Sequence, residues 1–132
     1  MKKMIFAALA LVMLAATLQS AAQKGDEVMT KENGSYVVNT TILGRDVQGY
    51  VGTTPVKVYI KKNKVERVEF LKNQEGPKYM ASVRKALQTK WDGLKVKEAA
   101  KLKVDAVTGA TYSSGAVIKN VQLALDYYQK NK

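Results

Sequence analysis

The sequence predicts an α+β domain in which an antiparallel β-sheet packs against helices on one of its sides. Two segments with alternating apolar residues flank Lys62-Asn63 and indicate a β-hairpin. Apolar residues at helical spacing follow in residues 78–88 and again in residues 115–129. The chain has 132 residues, which is a suitable length for one domain.

The first residues have the pattern of a secretory signal peptide. Two lysines precede an apolar run from Met4 to Leu18, and small residues at 20–22 provide a cleavage site. The run is shorter than the ~20 residues that span a bilayer, so we favour cleavage over a retained anchor. We therefore predict a signal peptide at 1–22 and one domain at 23–132. The protein is expected in the periplasm or outside the cell, with at most peripheral membrane association.

The middle of the chain predicts the strands of the sheet. Asn33-Gly34 is a turn signal, and a first strand is expected just before it. In the return strand of the main hairpin, the apolar residues can lie on the same face only if a bulge is present between Val65 and Val68. We therefore predict a bulge there. The other strands are rich in β-branched residues or alternate between apolar and polar residues. They are predicted at Tyr36–Ile42, Val47–Val51, Pro55–Lys61 and Lys64–Leu71.

The second half of the chain predicts the helices. Pro77 suits the first turn of a helix over 78–88. The basic segment 95–103 is interpreted as a short helix or a loop, and the last helix is predicted over 115–129. Trp91, between these elements, is expected in the core.

The composition excludes several classes of chemistry. The chain has no cysteine and no histidine, which excludes disulfides, zinc sites built on these residues and a Ser-His-Asp triad. We predict no metal site, and a hydrolase is disfavoured because no nucleophile–base pair is evident. A redox function would therefore require an acquired cofactor.

The chain is strongly basic, with 22 Lys and Arg against 11 Asp and Glu and a formal charge of +11. Such a charge favours anionic partners. The lysines are scattered along the sequence, which indicates a solvated surface rather than a nucleic-acid interface, so no nucleic-acid partner is expected. One candidate function is thus a non-redox exported module that binds anionic ligands through its basic surface.

The segment before the last helix combines a carboxylate, a glycine and several hydroxyl groups. A helix N-terminus favours a phosphate, and Gly109 permits positive φ or close approach of a ligand. Thr111 would then present its hydroxyl beside that anion site. The alternative interpretation is a glycine turn followed by an N-cap at Ser113 or Ser114.

The residues Asp105-x-x-Thr108-Gly109-Ala110-Thr111 resemble the flavinylation motif of the FMN-binding domain family. This family includes the covalent-FMN subunits of ion-translocating NADH and ferredoxin oxidoreductases. In it, a flavin transferase joins FMN through a phosphoester to the last threonine of the motif, which implies Thr111 here. The resemblance covers roughly 47–125, where the hairpin, the helices and the motif follow the family's order.

The resemblance implies FMN as the cofactor, a flavin transferase for maturation and an unidentified redox partner protein. It implies an electron-transfer flavoprotein rather than a stand-alone enzyme. It also places Glu75 near the flavin ring, although Gly76 replaces the threonine that usually follows. A carboxylate favoured by the helix dipole is the alternative for Glu75. Tyr112 either covers the flavin or fills the core, and we favour the core. The predicted cofactor-binding residues are Glu75, Asp105, Thr108, Gly109, Ala110, Thr111, Ser113 and Ser114.

Overall fold

Two hairpins build the sheet in the computed structural model, which describes residues 27–132. The predicted signal peptide lies outside these residues. The first hairpin joins strands β1 (Met29–Glu32) and β2 (Ser35–Asn39), and the second joins β3 (Val56–Lys61) and β4 (Lys64–Phe70). All neighbours pair antiparallel in the order β1-β2-β3-β4, which confirms the predicted sheet.

Both hairpin turns have two residues, and both place those residues at positive φ. The angles are 51° and 84° at Asn33 and Gly34, and 52° and 62° at Lys62 and Asn63. This is the backbone of a type I′ turn, whose twist matches that of the strands it joins. The predicted turns are therefore confirmed at both sites.

The predicted bulge in β4 is also present. Ile60 pairs with Val65, whereas Tyr59 pairs with Arg67, so Glu66 is an extra residue on β4. Because of the bulge, Val65 and Val68 lie on the same face of the sheet, and both are buried.

Two predicted strands are wrong in part or in whole. β2 ends at Asn39, and the next residues form the short helix α1 (Thr40–Leu43). The Asn39 side chain accepts a hydrogen bond from the Thr41 N–H at 2.9 Å, and this cap overrides the β propensity of the threonines. The strand expected at 47–51 is reduced to an isolated bridge between Gln48 and Thr53.

Three longer segments supply the remaining helices, α2 (Pro77–Leu87), α3 (Val96–Lys101) and α4 (Thr111–Asn131). The predicted helices over 78–88 and 115–129 are confirmed, although α4 begins earlier, at Thr111. In the described part of the chain, no helix is both long enough and apolar enough to cross a membrane.

The core lies between α4 and one face of the sheet. Val58 and Ile60 of β3 and Val121 and Leu125 of α4 are fully buried there. Trp91 is 1% exposed in the same cluster, which confirms its predicted place. This packing fixes the direction of α4, so that its two ends lie at opposite ends of the sheet.

Candidate functional site

The turn before α4 is a four-residue loop that opens toward solvent. The Ala110 N–H donates to the Val107 carbonyl at 2.9 Å, and Gly109 has a φ of 84°. An L side chain rarely adopts this conformation, so glycine suits the position. A Cβ on Gly109 would meet no atom within 4 Å, and its outer side is therefore open to a ligand.

Ser114 holds this turn against the first turn of α4. Its hydroxyl oxygen accepts from the Val107 N–H at 2.8 Å and donates to the Ala110 carbonyl at 2.7 Å. The residue is fully buried. Because both partners belong to the turn, Ser114 fixes its shape.

The N-terminus of α4 has no side-chain cap among the described residues, and its N-cap is Ala110. The alternative interpretation, an N-cap at Ser113 or Ser114, is therefore wrong. The first backbone bond of the helix runs from the Ser114 N–H to the Ala110 carbonyl at 2.9 Å. The N–H groups of Thr111, Tyr112 and Ser113 have no carbonyl partner within the helix, and they carry the positive end of its dipole. The Thr111 side chain is exposed beside them.

Glu75 connects the loop 49–52 to this helix end. Its carboxylate accepts from the backbone N–H groups of Tyr50 and Val51, each at 2.6 Å, and of Gly52 at 3.2 Å. The Ser113 hydroxyl donates to the same carboxylate at 2.8 Å. Glu75 is 5% exposed, so it is a buried anion with four donors.

These donors determine the protonation of Glu75. Burial by itself would raise the pKa of the carboxyl group, but the hydrogen bonds from Ser113 and from the backbone of the loop outweigh it. The net result is a pKa below the ordinary value for glutamate. Glu75 is therefore ionised at neutral pH.

The same contacts explain why the strand expected at 47–51 does not form. The N–H groups that would pair with a neighbouring strand are bonded to Glu75 instead. Gly49 allows the close approach, because a Cβ there would lie 2.0 Å from the Glu75 Oε1 atom. The loop is consequently folded around the carboxylate.

A cleft of about 300 Å³ lies between this loop, α2 and the start of α4. Tyr50 and Tyr112 stand at its sides with 73% and 68% of their surfaces exposed, and their ring centroids are 6.2 Å apart. Tyr79 of α2 also lines it and is 48% exposed. The expectation that Tyr112 lies in the core is wrong, because its position in the first turn of α4 turns it outward.

The predicted site residues divide into three groups. Four line the cleft: Gly109, Ala110, Thr111 and Ser113. Glu75 and Ser114 are buried and hold its walls through the hydrogen bonds above. Thr108 and Asp105 are exposed on the preceding segment and do not line this cleft; Asp105 borders a separate one.

Sequence reasoning did not select Tyr50 and Tyr79 as site residues. Tyr79 lies in the helix predicted over 78–88, and Tyr50 lies in a segment predicted as strand. The one available signal was the spacing of Gly49 and Gly52 around Tyr50, which is typical of a tight loop.

In the described part of the chain, no group of three or more acidic residues could hold a metal ion. The polar groups that converge on the cleft are backbone N–H groups and hydroxyls. Such a set suits an anion rather than a cation.

Comparison with known families identifies the family of the chain. A model of the FMN-binding domain matches residues 49–126, which is more than half of the chain. The chain therefore belongs to the FMN-binding domain family, and FMN is its cofactor. Searches of curated proteins and of solved structures gave no match.

The residues around the cleft fit FMN. The N–H groups at the start of α4, which no described side chain caps, suit a phosphate, and the open side of Gly109 leaves room for it. The exposed rings of Tyr50 and Tyr112 offer apolar faces for a flat ring system. The cleft volume is at the lower end of the range of about 300–1,000 Å³ found for ligand sites, so a ring held here would be partly open to solvent.

Proposed function

We propose that the protein carries FMN as a phosphoester on the Thr111 hydroxyl and acts as an exported electron carrier. One observation carries this proposal. Thr111, the last residue of the motif, presents an exposed side chain at a helix N-terminus that no described side chain caps. The hydroxyl is thus beside the groups that favour a phosphate.

The attachment is a group transfer without a change of oxidation state. The transferase would supply a flavin nucleotide whose phosphate is activated as a phosphoanhydride. The Thr111 oxygen forms a bond to the phosphorus next to the flavin, the P–O bond to the second phosphate breaks, and that phosphate leaves with its substituent while the hydroxyl proton passes to a base. The mass gained equals FMN less one water. None of the described residues that line the cleft is a carboxylate, and we assign the base that takes the proton to the transferase.

Two further groups of described residues would help to hold the cofactor. The N–H groups at the start of α4 would bind the phosphate oxygens, while Glu75 keeps the loop of Tyr50 against that helix end. When bound, FMN supplies one- and two-electron chemistry. The open side of the cleft leaves the ring accessible to a redox partner protein.

Export supports covalent attachment. A cofactor held only by weak contacts would diffuse away outside the cytoplasm, whereas an ester to Thr111 prevents this loss. The predicted signal peptide at 1–22 is the basis for export, and a flavin transferase in the same compartment would complete maturation.

The test is the intact mass and visible spectrum of the protein produced together with a flavin transferase. Thr111→Ala should remove all covalent flavin, because the accepting oxygen is absent, while the circular dichroism spectrum stays unchanged. Thr111→Ser is the matched control, since it keeps a hydroxyl at the same place and should retain at least part of the flavin.

Denatured Thr111→Ala protein that still carries flavin would contradict the assignment of the residue. An unmodified and colourless wild-type protein would contradict covalent attachment altogether. That result would favour the other function that the composition allows, a module that binds anionic ligands.

A further inference from the structure

A second cleft, of about 340 Å³, lies at the C-terminal end of α4. It is formed by the turn of the second hairpin, the start of α3 and the end of α4. Five lysines line it: Lys62, Lys64, Lys95, Lys97 and Lys132. None of the described residues that line it is acidic. We call this site the lysine cleft.

The tertiary structure brings these lysines together from separate parts of the sequence. Lys64 forms an isolated antiparallel bridge with Lys95. The Val65 N–H donates to the Leu94 carbonyl at 2.9 Å, and the Val96 N–H donates to the Asn63 carbonyl at 2.8 Å. The hairpin turn is thereby joined to the segment that begins α3.

The cleft also has a fixed base. The Asn63 Oδ1 atom accepts a hydrogen bond from the Tyr128 hydroxyl at 2.6 Å and another from the Lys132 ammonium group at 3.3 Å. These bonds hold the hairpin turn against the end of α4. The lysines therefore extend from a base made of three elements held by hydrogen bonds.

This arrangement places like charges directly opposite one another. Lys61 of β3 pairs with Lys64 of β4, and Lys64 in turn pairs with Lys95. Like charges at opposed positions destabilise a sheet. An anionic partner at this end would relieve that repulsion.

We propose that the lysine cleft docks the protein onto an anionic phospholipid surface. The charge is complementary, and the attraction needs no particular geometry, because a lysine ammonium group acts as a point charge toward phosphate. The association would be electrostatic and peripheral.

The chemistry of the lining favours a lipid surface over an acidic protein. Among the described residues that line it there is no arginine and no aromatic ring. Tyr128 at its base and Val96, its one apolar lining residue, are each only 3% exposed. Protein interfaces usually depend on buried tryptophan, tyrosine or arginine anchors. The lysine cleft offers charge without such anchors.

The position of the cleft has a consequence for electron transfer, which rests on the proposed function. α4 has 21 residues and spans about 30 Å at 1.5 Å per residue. Thr111 is the first residue of α4, and Lys132 follows its last residue, Asn131. Docking through the lysine cleft would therefore hold the FMN end away from the lipid surface and open to a partner.

The test is co-sedimentation of the purified protein with vesicles of phosphatidylcholine, with and without phosphatidylglycerol. Binding should require phosphatidylglycerol and should be lost when the ionic strength is raised to about 1 M, where charges are screened within about 3 Å. The double variant Lys64→Gln with Lys95→Gln should lower the partition coefficient about 30-fold.

The matched control is Lys85→Gln with Lys119→Gln, which removes two exposed lysines from other surfaces. This control should change the partition coefficient by less than about 3-fold, since its lysines lie outside the cleft. The cleft variant should keep or raise its midpoint of thermal unfolding, because it removes opposed like charges. A fold defect would therefore not explain its loss of binding.

Equal losses in the two double variants would overturn the proposal, because binding would then follow net charge alone. Failure of the wild type to bind vesicles would also overturn it. If inorganic phosphate or an acidic protein then bound in a way that depends on Lys64 and Lys95, the lipid surface would be the wrong occupant. None of these measurements needs flavin, so their failure is distinct from failure at Thr111.

Discussion

The N-terminal end of α4 carries an exposed threonine and lies beside a loop whose backbone N–H groups bind the Glu75 carboxylate. The C-terminal end carries lysines around a hydrogen-bonded asparagine. At the first end, Glu75 and Ser114 are buried, and their side chains together take part in six hydrogen bonds described above. At the second end, Asn63 is exposed and accepts from Tyr128 and Lys132. A cleft lies at each end, and among the described residues only the first end is organised by a buried charge, that of Glu75.

This difference predicts two kinds of recognition. Backbone N–H groups at fixed positions select a ligand by geometry, and they carry partial rather than full charges. Lysine side chains attract any anion nearby, and salt screens them. The two ends should also differ in how much they contribute to stability, because the first contains a buried carboxylate and the second an exposed asparagine. The following predictions compare the loss of stability at the two ends.

The largest expected loss of stability is for Glu75→Gln. The amide would place an NH₂ group among backbone N–H donors, leaving buried donors unpaired. We expect the free energy of unfolding at neutral pH to fall by about 3 kcal/mol, and chemical denaturation measures it. A loss below that of an ordinary surface substitution, about 0.5 kcal/mol, would show that Glu75 does not organise this end.

The same carboxylate gives a dependence on pH. Because its pKa is lowered in the folded state, Glu75 stabilises the fold above its unfolded pKa, and this contribution is lost as the pH falls through the folded value. The wild type should therefore lose stability on acidification below about pH 4.5, near the ordinary pKa of glutamate. Glu75→Gln should show a shallower dependence over the same range, and an equal slope in both proteins would contradict the assignment.

A smaller loss is expected for Gly49→Ala. The added Cβ would lie 2.0 Å from the Glu75 Oε1 atom, so the loop or the carboxylate must move. We expect a loss of about 2 kcal/mol in the free energy of unfolding. Gly52→Ala is the matched control, because a Cβ there meets nothing within 4 Å and its φ is not positive. Similar losses in the two variants would argue for a general backbone effect and against crowding at Glu75.

The smallest loss is expected at the opposite end, for Asn63→Gly. Glycine adopts the φ of 62° without strain, so the substitution removes only the bonds to Tyr128 and Lys132. We expect a loss of about 1 kcal/mol by thermal or chemical unfolding. Asn33→Gly, in the turn of the first hairpin, controls for the change of backbone. A loss at Asn63 as large as that at Glu75 would remove the contrast between the two ends.

Local signals in the sequence predicted most of the fold. The two turns, the alternation of β3 and the bulge in β4 depend on nearby residues, and so do the apolar faces of α2 and α4. The segment 47–51 was predicted wrongly for a definite reason. Its β-like composition is overruled by Glu75, which is distant in sequence and takes the N–H groups that a strand would use.

The candidate site was predictable to the extent that it is a contiguous motif. The motif that ends at Thr111 was found from consecutive residues. The family match confirms the predicted family and cofactor, and the role of Thr111 stays a prediction. Tyr50 and Tyr79 were not found, because the cleft that they share with Thr111 exists only after three separate segments have met. The exposure of Tyr112 likewise depends on the residue at which α4 begins.

The sequence by itself determined the turns, the apolar faces of the strands and helices, the absence of cysteine and histidine chemistry, and the motif that ends at Thr111. These properties depend on residue type and on short spacing, which act within one element. Only the tertiary structure decided that Glu75 binds the loop of Tyr50, and that Lys64 lies opposite Lys95. Such contacts join residues far apart in the chain, and they follow from the packing of α4 on the sheet, which no local pattern encodes.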